Sequence, residues 1–543
     1  MSSIVRQPCD EGVMLSGGAA APVAPAARPW ILAATILASG MAFIDGTVVN
    51  VALPSLQTSL GASAVDAQWI VESYALFLAA LILVGGSLGD HYGRRRVFLW
   101  GVSIFALSSV WCGFAPNPEN LIIARAFQGI GGAMMVPGSL AIISASFEGE
   151  SRGKAIGTWS GFSAVTAALG PVLGGFLVEN LSWRAAFLMN VPLAIAVVLI
   201  SVRYVPESRD PEARRLDLPG SVLATLGLGG VVFGLIEASA RGLADPLVIA
   251  ALAIGVAALA AFFLVERSSP EPMMPLGLFR SRDFAGANLL TFFLYAALGG
   301  SLYFLPFLLI QVHGYSATAA GAAWLPFVVA TFLLSRWAGK VAGRRGPRSP
   351  LVIGSIITGA GFVLLAVPGT GSASYWTAFF PAVATLGIGM SLVIAPLTTT
   401  VMNSVEAGRS GLASGVNNTV SRAAALLALA ALGILVFLAF SAALGPRLDA
   451  LDLPPEARAV LEVEMKNLGA ARVPGNLGGE TAAAVERAVD ESFVAAFRLV
   501  MFVGAGLSIA SAIVASTTGG MVGRQAAVGP EEGKEGALGP AVG

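Results

Sequence analysis

Fourteen long apolar runs, cut apart by short charged turns, leave this chain very few ways to fold. The runs are 30–54, 69–88, 97–115, 121–146, 155–178, 185–204, 218–240, 246–265, 284–312, 319–337, 351–368, 376–401, 412–444 and 493–516. A bilayer core takes about 20 apolar residues per helix, so each run is suited to cross it. The hydrocarbon holds no water to satisfy backbone N–H and C=O groups, and a helix closes those bonds within itself. The expected fold class is therefore an all-α polytopic membrane protein with 14 transmembrane helices. Only 12% of the 543 residues are charged. A soluble domain carries about 25%, so little chain is left for a separate soluble unit.

The placement of charge orients the molecule. With the N-terminus inside, the inner links carry Arg94, Arg95 and Arg96, then Arg152 and Lys154, then Arg203, Arg209, Arg214 and Arg215. Later inner links carry Arg267, Arg280 and Arg282, then Lys340, Arg344, Arg345 and Arg348, whereas the short outer links hold only Arg184 and Arg241. Lys and Arg near helix ends resist translocation, so both termini are expected on the cytoplasmic side. The long outer loop 445–492 mixes both signs and is exempt from that rule, with short surface helices expected at 455–468 and 480–491. Residues 1–29 and 519–543, rich in Ala, Pro, Gly and Glu, read as disordered cytoplasmic tails. The N-terminal stretch also lacks the short core and cleavage site of a secretory leader.

An internal repeat divides the helices. The turn Gly86-Ser87-Leu88-Gly89-Asp90-His91-Tyr92-Gly93-Arg94-Arg95-Arg96 is echoed by Gly339-Lys340-Val341-Ala342-Gly343-Arg344-Arg345-Gly346, with Gly343 standing where Asp90 stands in the first copy. Two related six-helix bundles are expected at 30–205 and 284–518, with two inserted helices and a linker at 206–283.

Charged groups inside the hydrocarbon are the informative ones, because each costs about 3 kcal/mol at a helix centre. Asp45 is central in the first run and Arg125 lies in the outer half of the fourth; both would sit about 8–13 Å from the outer helix ends. Facing one cavity, they would form a proton-release site tuned by the arginine; a purely structural buried ion pair is the alternative. Glu72 and Glu237 lie near the outer ends of the second and seventh runs. Each reads as a second proton site, a cation selector or a solvated carboxylate, with Glu72 ranked next after Asp45. Gly170, Pro171, Gly174 and Gly175 combine a lost backbone hydrogen bond with close helix approach, which suits an outer seal or an ordinary packing kink. Gly86, Asp90, Gly93, Arg94 and Arg95 suit a latch in which Asp90 accepts hydrogen bonds from a helix start or an arginine, or else simply an anchor on the inner face. Asn50, Gln128, Met134, Tyr295 and Asn417 are the residues expected to line a substrate cavity. Soft apolar surface could come from Phe43, Trp69, Tyr74, Phe127, Met135, Phe292, Tyr303 and Phe304, and polarity from Asn418 and Arg422.

Other chemistries find little support. Cys9 and Cys112 have no metal-ligand or disulfide spacing, and Cys112 reads as a small buried hydrophobe. His91 and His313, the only histidines, fall on opposite faces, so neither a metal site nor a histidine-based catalytic cluster is expected, and the chain is not read as an enzyme. Gly153-Lys154, Gly339-Lys340 and Gly533-Lys534 are each followed by a residue other than Ser or Thr, so no phosphate-binding loop points to ATP. Zero net charge gives no sign of a nucleic-acid partner.

Four segments resemble the major facilitator superfamily, and within it the fourteen-helix QacA/EmrB-type drug:proton antiporters. The turn at Gly86 is similar to the family's GxLaDRxGRR loop, with His91 replacing an arginine. The segment Asp45-Gly46-Thr47-Val48-Val49-Asn50-Val51-Ala52-Leu53-Pro54 resembles DxTIVNVALP. Arg125-Ala126-Phe127-Gln128-Gly129 resembles RxxQG, and Gly170-Pro171-Val172-Leu173-Gly174-Gly175 resembles the GPxxGG antiporter motif. Trp183-Arg184-Ala185-Ala186-Phe187 is similar to WRWxF without its second Trp. The resemblance implies proton-coupled secondary export of lipophilic or cationic small molecules, that is multidrug efflux by alternating access, from a bacterial-type cytoplasmic membrane. The alternative is export of an endogenous metabolite such as an antibiotic, siderophore or lipid precursor. No cofactor is expected, the proton gradient being the energy source. The partners are substrate, protons and lipid bilayer, with a periplasmic adaptor left open.

Overall fold

The computed structural model describes residues 23–210, 217–371, 374–405, 410–451, 453–471 and 477–517. Among these, fourteen helices are long and apolar enough to cross a membrane. The first six are α1 (Arg28–Leu60), α2 (Ala64–Tyr92), α3 (Arg94–Gly113), α4 (Pro118–Ser146), α5 (Gly149–Asn180) and α6 (Trp183–Tyr204). Next come α7 (Leu218–Arg241), α8 (Pro246–Ser268), α9 (Arg282–Val312) and α10 (Ala317–Arg344). The last four are α11 (Arg348–Leu365), α12 (Phe380–Asn403), α13 (Ser410–Asp449) and α14 (Gly479–Thr517).

Local chemistry sets the helix ends. Ser63 and Asp66 form a reciprocal capping box at the start of α2, the Asp66 carboxylate accepting the Ser63 N–H at 2.9 Å and Ser63 Oγ accepting the Asp66 N–H at 3.1 Å. Asn117, Asp245 and Ser281 cap α4, α8 and α9 in the same spirit. Gly61 ends α1 at φ +65°, a left-handed turn open to glycine, so the chain reverses at once into α2. Gly93 (φ +110°) and Gly346 (φ +80°) end α2 and α10 at matching places in the two copies of the repeat.

Three boundaries depart from the sequence reading. The expected tail at 1–29 gives way to structure before its end: Pro25–Ala27 form a 3₁₀ turn running straight into α1, where Pro29 suits the first turn of a helix. Residues 1–22 and 518–543 lie outside the described residues. The outer loop is also shorter than 445–492, because α13 continues to Asp449 and α14 begins at Gly479. The expected surface helix at 480–491 is the first part of α14, whose apolar stripe of Val485, Ala488, Val489 and Phe493 is buried against neighbours. Between α13 and α14 lies a short helix, Pro455–Glu464, followed by a 3₁₀ turn, Met465–Ala470.

The core is divided unevenly between the two ends of the molecule. At the end bearing the Asp90 turn, α1 to α6 close their own core around Met41, Tyr74, Phe98, Phe105, Met135 and Trp159. At the opposite end, Val49, Leu53 and Leu56 of α1, Ile70 of α2 and Phe187 of α6 belong to one continuous core with α9 to α14. The two halves are thus fused by apolar packing at one end. The inserted pair takes a different position: α7 lies along the seam of α2 and α13 through Leu76, Leu228, Val232, Ile236, Leu426 and Ala430. Helix α8 packs on α7, with backbone approach at Gly230 and Gly255.

Candidate functional site

Asp45 and Arg125 meet inside the first half of the molecule. Arg125 Nη1 bonds Asp45 Oδ2 and also donates to Gln128 Oε1 at 2.7 Å, while Arg125 Nε donates to the Ile70 carbonyl at 3.0 Å. The other carboxylate oxygen of Asp45 accepts from Gln128 Nε2 at 2.8 Å and Asn190 Nδ2 at 3.2 Å. Ser109 Oγ takes further bonds from Gln128 and Asn190 at 2.8 and 3.3 Å. The Arg125 guanidinium lies 4.2 Å over the Tyr74 ring, a cation–π contact. Five helices, α1, α2, α3, α4 and α6, therefore supply this network, and Asp45, Arg125, Gln128 and Asn190 are all buried. Sequence patterning pointed to Asp45 and Arg125 and missed Ser109 and Asn190; an isolated Asn in the apolar run of α6 was the available signal for the latter.

Asn50 lines two cavities, of which the smaller borders this network through Tyr74 and Arg125. One, of about 230 Å³, is lined by Glu72, Tyr74, Arg125, Tyr303 and Arg422 among others. The other, of about 280 Å³, lies between α1, α5, α9 and α10 and is lined mainly by apolar groups, including Pro171, Trp324, Phe327 and Val328. Arg125 is the member of the ion pair that reaches a cavity wall. Gln128, Met134, Tyr295 and Asn417, expected as cavity residues, line neither. Gln128 is turned into the Asp45 network, Met134 packs on Gly85 and Gly101, and Asn417 donates to Asn288 and Thr291 at 3.1 and 2.8 Å within its own bundle. Arg422 does line the smaller cavity, with its Nε donating to Asn418 Oδ1 at 3.0 Å.

Glu72 lies on the wall of the smaller cavity rather than at the outer surface. It is 0% exposed, and neither side-chain oxygen has a hydrogen bond of ordinary geometry. Its polar neighbour Gln68 spends its amide N–H on the Leu429 carbonyl of α13 at 3.0 Å. A buried carboxylate left in this way calls for a proton or a cation. Glu237, by contrast, is tied to Trp69 Nε1 at 3.2 Å and Arg241 at 2.8 Å on the α2–α7 seam, away from both cavities.

The Gly170 motif binds α5 to two helices at once. A Cβ on Gly170 would lie 1.9 Å from Thr47 Oγ1, and one on Gly174 would lie 3.0 Å from Val48 Cα, both on α1. On α10, a Cβ on Gly175 would lie 2.3 Å from the Ala317 carbonyl oxygen; reciprocally, one on Gly321 would lie 2.0 Å from the Pro171 carbonyl oxygen. Only glycine permits backbone contact this close. The halves are closed at this end, away from the Asp90 turn, where Gln311 of α9 also donates to Gln57 of α1 at 3.3 Å.

The Asp90 turn is tied down by its own side. Arg94 bonds Asp90 at 2.8 Å, and the segment leaving α6 docks onto the turn: Arg94 N donates to the Ser208 carbonyl at 2.8 Å, Asp210 N to the Asp90 carbonyl at 3.0 Å, and Arg95 N to Glu207 Oε1 at 3.1 Å. Gly86 packs near Pro137 of α4. In this structure, closed at the opposite end, the α2–α3 turn is clamped to the chain that leads toward α7; the link 406–409 into α13 lies outside the described residues.

Two helical bundles closed on each other at one end, with cavities and a buried ion pair between their helices, define a membrane transporter. The fold agrees with a solved bacterial homolog of the human lysosomal transporter Spinster in an inward-facing, unoccupied conformation. That match has a TM-score of 0.62 and 20% identity, over 90% of this chain and 98% of that one. The chain belongs to the Major Facilitator Superfamily, whose sequence profile matches residues 35–429. It is 36% identical over 432 residues to the multidrug resistance protein Stp of Mycobacterium tuberculosis, covering 79% of this chain and 80% of that one. It is 32% identical over 500 residues to the tetracenomycin C resistance and export protein of Streptomyces glaucescens, covering 90% and 92%. With the puromycin resistance protein of Streptomyces alboniger the identity is 36% over 410 residues, covering 75% and 81%.

Proposed function

We propose that this protein exports lipophilic or cationic small molecules from the cytoplasm or inner leaflet in exchange for protons, by rocking two six-helix bundles about the central cavities. The observation that carries the reading is the Asp45–Arg125–Gln128–Asn190 network, a buried carboxylate whose arginine partner forms part of a cavity wall. Such a group can exchange a proton when one side opens and pass the change to the cavity through Arg125. Glu72, buried and unpartnered beside the same cavity, is the second candidate for a proton or for a cationic substrate. The arginine-rich links, with the Asp90 turn among them, support an orientation with both termini in the cytoplasm.

The test is transport into inverted vesicles under an imposed pH gradient, using ethidium as probe. Wild-type uptake is expected to collapse when the gradient is discharged, and Asp45→Asn to lose gradient-driven uptake by at least about tenfold. Wild-type rates in Asp45→Asn after the gradient is collapsed would sink proton coupling through Asp45. Export of an endogenous metabolite is the second reading, favoured by the likeness to the tetracenomycin C export protein over 90% of this chain. A biosynthetic gene cluster next to the gene would support it.

A further inference from the structure

The contact between α5 and α10 includes a carboxylate with no role so far. Glu179, in the last turn of α5, directs Oε2 at the backbone N–H of Thr318, 3.2 Å away in the first turn of α10. The Ser316 and Thr318 hydroxyls lie beside it. The first N–H groups of any helix lack partners within the helix. In α10, Ser316 supplies its side-chain oxygen to Ala319 N at 3.2 Å and its carbonyl to Ala320 N at 2.9 Å. The Thr318 N–H is left over, and the cap comes from the other half of the molecule.

Electrostatics favours this reach. At the C-terminus of α5 a carboxylate faces the negative end of the helix dipole, whereas at the start of α10 it faces the positive end. Glu179 therefore gains by leaning across the interface. One turn earlier, Gly175 and the Ala317 carbonyl are in backbone contact, so the cap sits over the tightest point of the closed end. Protonation of the carboxyl would remove the charge that strengthens the bond and leave a weak neutral acceptor.

We propose that Glu179 is the positioning residue of the outer gate: it caps α10 while this end is closed, and protons arriving from outside weaken that cap and favour opening. The inference rests on the alternating-access reading above and adds a trigger to it. Among the other charged or titratable groups on the packed elements, Tyr315 in the α9–α10 turn packs edge-on against Phe379. Asp45 of α1 is held in its own network, and Arg184 at the start of α6 donates to the Ala115 carbonyl and lies 4.2 Å over the Trp183 ring. His313 in the α9–α10 turn bonds the Gly371 carbonyl through Nδ1 at 2.9 Å while its Nε2 is buried without a hydrogen bond among the described residues, and Arg336 and Lys340 belong to the far end of α10.

The test measures opening directly. Spin labels are placed on Leu181 and Trp376, exposed by 71% and 69% and belonging to different halves, in the full chain with Cys9 and Cys112 replaced and reconstituted in lipid nanodiscs. Lowering the pH from about 5.5 to about 3.5, through the ordinary range of a carboxyl and below that of a histidine, is expected to raise the long-distance population of the parent protein. Glu179→Gln is expected to raise that population about fivefold at the higher pH, the equivalent of one hydrogen bond, and to flatten the pH response. Glu179→Asp, which keeps the charge on a shorter arm, is expected to open partly and to retain the response. Parent-like distances in Glu179→Gln, or a pH response lost in Asp45→Asn but intact in Glu179→Gln, would overturn the proposal. Failure of the broader reading looks different: no opening at this end in any variant or at any pH.

Discussion

Arg125 on α4 and Asp45 on α1, eighty residues apart in sequence, form one ion pair in which neither side chain is more than 1% exposed. Arg125 has a second anchor in the Ile70 carbonyl and Asp45 a second and third in Gln128 and Asn190, so removing either charge strands its partner. Asp45→Ala is expected to destabilise the protein by about 3–5 kcal/mol, because an uncompensated buried arginine remains. Asp45→Asn keeps acceptor capacity and should fold while losing coupling. Thermal unfolding in detergent, read beside transport, separates the two effects.

Glu72 should behave in the opposite way. Its oxygens have no partner to lose, so Glu72→Leu replaces an unsatisfied polar group by apolar volume. Stability is expected to stay level or rise, with a shift in Tm of up to about 4 °C, while uptake of a cationic probe falls. A large drop in Tm would mean that Glu72 is structurally paired in the resting protein.

The glycines of α5 give a graded series. Gly175→Ala meets backbone, the Ala317 carbonyl, which has nowhere to go; Gly174→Ala meets Val48 Cα at the edge of tolerance; Gly343→Ala meets nothing within 4 Å. Overpacking of this kind costs about 1–3 kcal/mol, and here it falls on the closed state alone. Gly175→Ala is expected to shift labels on Leu181 and Trp376 apart and to leak protons, Gly174→Ala less so, and Gly343→Ala not at all. Proton leak in proteoliposomes is the readout.

The Asp90 turn offers a second contrast. Gly93 combines φ +110° with a would-be Cβ 2.7 Å from Glu207 Oε1, whereas at Gly89 the nearest atom would be 3.9 Å away. Gly93→Ala is expected to undock residues 205–210 and reduce turnover by at least about tenfold through backbone strain of about 1–3 kcal/mol, with Gly89→Ala close to wild type. Protease sensitivity of the α6–α7 link checks the undocking.

The α7–α8 hairpin is held by backbone proximity. A Cβ on Gly255 would lie 2.5 Å from Val231 N, so Gly255→Val is expected to pry α8 from α7, while Gly277→Ala, with open space around it, is neutral. Cysteine pairs across the hairpin should lose their cross-linking in the first variant and keep it in the second.

Much of the architecture was legible because membrane helices obey a local rule. Each run had to satisfy its own backbone and cover itself with apolar groups, so helix number and class could be read from spacing alone. Asp45 and Arg125 were legible for the same reason, as charges where charge is costly. The outer loop was misread because residues 480–491 carry charge on one face and a buried stripe on the other. Only the presence of α13 and the Met465–Ala470 turn shows that this polar segment continues a spanning helix. The surroundings of a polar residue such as Asn417 or Gln128 were not legible, since it faces whichever neighbour can satisfy it, and that neighbour lies on another helix.

The division follows from the range of the forces. Apolar length, arginine placement and the glycine turns at Gly61, Gly93 and Gly346 act within a few residues, and they set the helices, their ends and the repeat. Burial and partnership act between segments far apart in the chain. The tertiary structure alone decided that Glu72 is buried, that Asn190 completes the Asp45 network, that α7 lies along the seam of α2 and α13, and that Glu179 caps a helix of the other half. Side-chain hydrogen bonds reach about 3 Å, so their pairing exists only once packing has brought the helices together.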